Sequence, residues 1–196
     1  MQAISIIKSE HRSLGAVLFT LERLAQDVNN PGVMVDFKVF HGLLYYIDSF
    51  LDRYHHPKET EFLFPVVRTS CPNAASMIDE LQQQHIEGER LLIKVLKTLS
   101  AYEFLGEPGF KPFQNAVNCY VEFERNHAHM EEREVLPLAE ECLTPTEWLG
   151  IDKAFNDNDD PLFGPNLKAE FGELHKLLTN LVPAPYGLGP ELKTQT

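Results

Sequence analysis

Two segments of this chain, 72 residues apart, carry one pattern. They are His55-His56-Pro57-Lys58-Glu59-Thr60-Glu61-Phe62-Leu63-Phe64-Pro65 and His127-Ala128-His129-Met130-Glu131-Glu132-Arg133-Glu134-Val135-Leu136-Pro137. In each, a histidine is followed four residues later by glutamate and six after that by proline. Upstream, His11 precedes His55 by 44 residues, and His85 precedes His127 by 42. Each of these histidines stands in an apolar series stepped by three and four, the signature of a buried helix face. The first series runs Ile4, Ile7, His11, Leu14, Leu18, Leu21, Ala25, Val28, and the second Phe37, His41, Leu44, Ile47, Leu51, His55, Glu59, Phe62. The third runs Ile78, Leu81, His85, Gly88, Leu92, Val95, Leu99, and the fourth Phe113, Val117, Tyr120, Glu124, His127, Glu131, Val135, Leu138. Turn residues separate them at Asn29-Asn30-Pro31-Gly32, Cys71-Pro72-Asn73 and Gly106-Glu107-Pro108-Gly109. The chain is thus two helical hairpins, and residues 1–141 are expected to form an all-α, up-down-up-down four-helix bundle.

The last quarter reads differently. Thr144-Pro145-Thr146-Glu147 is a capping-box helix start with proline at the first helical position. It predicts a short helix to about Phe155. An acidic turn follows from Asn156 to Pro161, then a second amphipathic stretch on Leu167, Phe171, Leu174, Leu178 and Leu181. Residues 142–182 are therefore expected as two additional C-terminal helices packed on the bundle, and 183–196 as an extended tail. Asp157, Asp159 and Asp160 lack the glycine and glutamate spacing of a calcium loop.

The repeat places chemistry in the core. Histidine and glutamate at i and i+4 share one helix face, with Cβ atoms about 5–6 Å apart, so both reach one centre. His11, His55, His85 and His127 would come from four helices, with Glu59 and Glu131 beside them. Bridging carboxylates with terminal imidazoles suit a pair of iron or manganese ions, and bundle interiors are where such sites are built. One inward histidine is usually a satisfied core residue. Four of them in register with two buried glutamates are hard to obtain by packing alone, because a buried carboxylate without a cation is costly.

Composition narrows the class. Seventeen Lys and Arg against 29 Asp and Glu give a net charge of −12, which argues against nucleic acid as partner. The longest apolar runs fall far short of the roughly 20 residues of a membrane span. Met1 to Glu10 lacks the basic and apolar regions of a signal peptide. Cys71, Cys119 and Cys142 are odd in number and widely spaced, so no disulfide framework is expected and the setting reads as cytoplasmic.

Over residues 1–141 the pattern His11, His55/Glu59, His85, His127/Glu131 resembles the hemerythrin-like, HHE cation-binding family, as does Leu63-Phe64-Pro65 after the second-helix motif. The resemblance implies two non-haem iron ions, with manganese as the alternative, bridged by Glu59 and Glu131 and held by histidines from all four helices. It also implies a protein that binds or reacts with dioxygen, nitric oxide or peroxide. Binding or sensing is the leading reading. The alternatives are a di-iron oxidase or nitric-oxide-handling enzyme, an iron storage or donation protein, and a purely structural metal site. An enzyme would need a redox partner, since no flavin, nicotinamide or cysteine-cluster motif supplies electrons. The chain departs from the oxygen carriers in two places. Glu89 stands where they have a fifth histidine, and Glu131 lies four residues after its histidine where they have aspartate at five, a position held here by Glu132. Fewer imidazoles favour the ferric state and disfavour reversible oxygen carriage.

Other residues carry weaker expectations. His56, about 100° round the helix from His55, and His129 are expected outside the centre. His41 is about 21 Å from His55 along its helix and is expected in the core or at its rim. His175 reads as a surface or packing residue. Asp52 and Glu124, each three residues before a histidine of the pattern, are candidates to orient imidazole N–H groups. Gly15 and Gly88 make room for either a ligand or a neighbouring helix, Tyr120 is expected in the core, and Pro57 predicts a local kink.

Overall fold

The computed structural model describes residues 1–28, 37–156 and Lys176. Among the described residues there is no strand, and the elements assemble into five helices. The first is Gln2–Asp27. The second spans 37–70 without a break, the third is Ala75–Leu105, the fourth spans 107–142 and the fifth is Pro145–Phe155. The first four form the bundle. The turn at Asn29–Gly32, the acidic loop from Asp157, the helix expected on Leu167 to Leu181, His175 and the tail 183–196 lie outside the described residues.

The second and fourth helices are not uniform. The second contains π-helical stretches at Asp48–His55 and Glu59–Leu63, and the fourth contains one at Glu131–Val135. Each stretch ends two residues before a proline: Pro57, Pro65 and Pro137. Proline donates no N–H, and its ring crowds the carbonyl one turn back. A wider turn relieves the crowding. The residue after each stretch accordingly bonds five residues back, His56 N–H to Leu51, Phe64 to Glu59 and Leu136 to Glu131. At Pro57, where a local kink is expected, the helix has such a widened turn. The extra residue also shifts the phase of the apolar stripe. Leu63 and Ala139 are buried where an unbroken stripe predicts Phe62 and Leu138, and Phe62 is exposed. The first and third stripes, in regular helices, are buried as their period predicts, apart from the terminal Val28, which is half-buried.

Short features set the ends. Gly106 turns the chain between the third and fourth helices at φ +69°, and a Cβ at Gly109 would fall 2.5 Å from the Cα of Tyr102, so those helices meet closely there. The fifth helix starts on the expected capping box of Thr144 and Glu147. Its Asp152 accepts a hydrogen bond from the Ala3 N–H at 2.8 Å and pairs with the N-terminal amine at 3.3 Å. Two free donors at the start of the first helix are thereby satisfied.

The apolar core is in two parts. One holds Leu14 to Ala25 with Phe40 to Leu51, Leu92 to Tyr102 and Phe110 to Val121. The other holds Ala3, Ile4 and Ile7 with Leu63 to Ala74, Ile78, Leu81, Val135 to Leu143 and the fifth-helix residues Trp148, Ile151 and Phe155. Between them along the bundle lies a layer of buried polar side chains.

Candidate metal centre

That layer contains Glu10, His11, His55, His56, Glu59, His85, Glu124, His127 and Glu131, all buried. The six residues singled out by the repeat all fall in it. Their ligating atoms form two groups, each within 4.8 Å: His11, His55, Glu59 and Glu131, and His56, Glu59, His85 and His127.

Four of the five imidazoles are held from outside through Nδ1. His11 Nδ1 lies 2.9 Å from Glu132, His55 Nδ1 2.7 Å from Glu10, His85 Nδ1 3.1 Å from the Thr60 hydroxyl, and His127 Nδ1 3.0 Å from the Gln84 carbonyl oxygen. The exception is His56, whose Nδ1 faces Asp52 at 3.5 Å without a hydrogen bond. An ionised carboxylate only accepts hydrogen bonds, so His11 and His55 donate from Nδ1. The Nε2 atoms are left facing inward. Those of His56, His85 and His127 have no hydrogen-bond partner, and those of His11 and His55 face each other at 3.2 Å.

The two glutamates divide their oxygens between the groups. Glu59 Oε1 is 3.4 Å from His55 Nε2, and its Oε2 is 3.5 Å from His85 Nε2. Glu131 Oε2 is 3.1 Å from His11 Nε2, and its Oε1 is 3.4 Å from His127 Nε2. Donors that each lie about 2.1 Å from one ion are themselves roughly 3.0–3.5 Å apart, so these spacings fit a coordination shell.

Electrostatics show what such a layer lacks. Burial, then the nearby Glu131 and Glu10, push the Glu59 carboxyl well above its ordinary range. Burial also opposes the charge on Glu131, but His127 and His11 outweigh it and hold that carboxyl well below. For His11 burial favours the neutral ring, yet hydrogen bonds to Glu131 and Glu132 raise it to about 9. Burial, then His127, pushes His85 down to about 3, and burial, then His85, pushes His56 well down. The surroundings thus disfavour charge on Glu59 and favour it on Glu131. Inward lone pairs, orphaned carboxylate oxygens and a nitrogen–oxygen donor set fit cations, whose binding would be linked to proton release.

His56 is the residue that sequence reasoning placed wrongly. Successive side chains diverge less on a widened turn than on an α-turn, so His55 and His56 both face inward, each toward a different group. The His56 ring stacks on His85 with centroids 3.9 Å apart. Pro57 and Pro65, eight residues apart in one helix, were the available signal. His41 also departs from expectation: it is exposed and pairs with Glu103 at 3.0 Å, because the buried stripe runs through Phe40 and Leu43. His129 and Glu89 are exposed and belong to neither group.

Asp52 and Glu124 are not alike. Asp52 faces His56, and burial, then Glu124 and Glu89, raise its carboxyl to about 8. Glu124 is buried with both oxygens unpartnered, and burial raises it to about 7. It fills the space left by Gly88, where a Cβ would lie 2.8 Å from Glu124 Oε1, so that glycine serves packing. Gly15, one turn from His11, has nothing within 4 Å of its Cβ position. Tyr120 is fully buried, as expected of a core residue.

With this geometry in view, a family model, the Hemerythrin HHE cation binding domain, matches residues 2–139. No curated protein and no solved structure matches the chain.

Proposed function

Because this chain belongs to the hemerythrin HHE cation-binding family, we propose that it is a non-haem di-iron protein that binds or senses a small ligand: dioxygen, nitric oxide or peroxide. The observation carrying this reading is the division of Glu59 and Glu131, each with one oxygen toward either histidine group. His11 and His55 would hold one ion, His56, His85 and His127 the other, and the two carboxylates would bridge them. When bound, the irons supply open coordination positions and a change of oxidation state. The chain's own residues supply the rest. Glu10, Glu132, Gln84 and Thr60 fix four of the rings, and the apolar clusters on both sides keep bulk water out. Two imidazoles against three leave more room for a ligand on the His11–His55 side. Burial of the donors argues against ready iron exchange, which places storage or donation behind binding. Manganese remains the alternative ion. Among the described residues no helix is long and apolar enough to cross a membrane.

The test is metal content per chain after purification without oxygen, followed by absorption spectra before and after air. Two irons and a new near-ultraviolet to visible band that reverses when oxygen is removed support binding or sensing. Irreversible oxidation shifts the reading to the enzyme alternative. No transition metal after reconstitution overturns it.

A further inference from the structure

Away from the metal layer, the ends of the second and fourth helices bring two thiols together. Cys71 caps the second helix with a non-helical backbone, and its buried thiol donates to the Leu138 carbonyl at 3.6 Å. Leu138 lies one turn before Cys142, whose own N–H shares that carbonyl by the i→i−4 rule of the Leu136–Cys142 helix. Helical side chains lean toward the N-terminus and cover the turn before their own Cα. The exposed Cys142 side chain therefore lies over the turn against which Cys71 is packed. The thiols come from equivalent ends of the two repeat halves: Ser70 ends the second helix and Cys142 the fourth, 72 residues apart. Beside them Ser70 donates to Glu147 at 2.5 Å, tying in the start of the fifth helix.

We propose that Cys71 and Cys142 form a reversible dithiol–disulfide pair whose oxidant is a hydroperoxide. The exposed Cys142 reacts first. Its thiolate sulfur attacks the peroxide, a sulfur–oxygen bond forms, the oxygen–oxygen bond breaks, and the leaving oxygen departs as water or alcohol after taking a proton. Cys71 sulfur then attacks Cys142 sulfur. The disulfide forms, the sulfur–oxygen bond breaks, and a second water leaves with the Cys71 proton. Two thiols are oxidised by two electrons and one peroxide is reduced. Burial, then the neighbouring Cys142, pushes the Cys71 thiol up to about 12, so Cys142 reacts first, and the share of that shift owed to the Cys142 thiolate is gone once its sulfur is oxidised and Cys71 attacks. A small thiol reverses the reaction by exchange. The cross-link would join the two helices that carry Glu59 and Glu131. The inference does not depend on bound metal.

The experiment is titration of the full chain with hydrogen peroxide, followed by thiol counting and peptide mapping without reduction. The expected result is loss of two thiols, a peptide linking Cys71 to Cys142, an intact Cys119, and recovery of both thiols with dithiothreitol. In Cys71→Ser, Cys142 should accumulate a sulfenic acid that dimedone traps, and in Cys142→Ser, Cys71 should stay unmodified. Mapping of the unaltered chain decides the matter even if a variant fails to fold. Persistence of both thiols, a link through Cys119, or a link only between two chains would overturn the proposal.

Discussion

The second and fourth helices are two versions of one element. Their π stretches Glu59–Leu63 and Glu131–Val135, and the helical turns Phe64–Ser70 and Leu136–Cys142 after them, repeat at the same 72-residue offset. They part company just upstream. The second helix has a further π stretch, Asp48–His55, ahead of Pro57, whereas the fourth runs as regular α-helix from Glu107 to Met130. The second helix therefore turns two adjacent histidines inward, and the fourth turns in only His127, with Ala128 where its counterpart has His56. A repeated sequence has produced an asymmetric site. One proline and the turn it widens account for the third imidazole, in a chain with no histidine at position 89.

The sharpest way to break the comparison is to remove what the two halves share. Glu59→Ala and Glu131→Ala should each lose both ions, because each carboxylate faces both histidine groups; elemental analysis per chain checks this. Next comes what they do not share. His56→Ala should lower occupancy on the His85–His127 side, and His11→Ala on the other, each falling from two ions toward one. His41→Ala and His129→Ala should leave metal content unchanged. Equal losses from His56→Ala and His129→Ala would show that the widened turn contributes nothing. Removing an outer partner should cost less. Glu10→Gln or Gln84→Leu should weaken metal affinity about 10–100-fold, measured by competition with a chelator.

A pH effect follows from Glu124. Its folded carboxyl sits near 7, above the ordinary range, so folding takes up a proton. The stability linked to that proton is complete below the unfolded value and is lost as pH rises through 7. In metal-free protein this one group favours pH 5 over pH 8, against His56 and His85, whose lowered values favour the higher pH, so thermal unfolding of the unaltered chain beside Glu124→Gln isolates it. Glu124→Gln should remove this contribution and stabilise the chain at pH 8 by about 1–3 kcal/mol. The smallest effects separate the two glycines. Gly15→Ala meets open space and should gain about 0.5–1 kcal/mol of helix stability. Gly88→Ala collides with Glu124 and should lose a similar amount, both read from thermal unfolding.

What was legible in the sequence follows the regular period. The bundle, the buried series of the first and third helices and the convergence of His11, His55, Glu59, His85, His127 and Glu131 all rest on steps of three and four, which α-helical geometry turns directly into a face. What was not legible starts where the period changes. Leu63, Ala139 and His56 depend on residues inserted into a turn, and a π turn leaves no apolar signature of its own. Only the prolines that follow betray it. The outer partners were hidden for a different reason: Glu10 reaches a histidine 45 residues away, and Glu132 one 121 residues away. Such pairings belong to the assembled bundle and not to either helix.

The division of the core has a mechanical consequence. Most helical bundles are tightest at mid-height and fray at their ends. Here the ends are greasy and the waist is polar, a diaphragm of groups whose charges oppose one another. The centre is the cross-section that apolar packing supports least, and a cation bound there would act as a rivet between the two apolar clusters. Amides flanking His55, His85 and His127 should exchange hydrogen faster than those beside Leu44 or Trp148 in metal-free protein, and the order should reverse once the waist is filled.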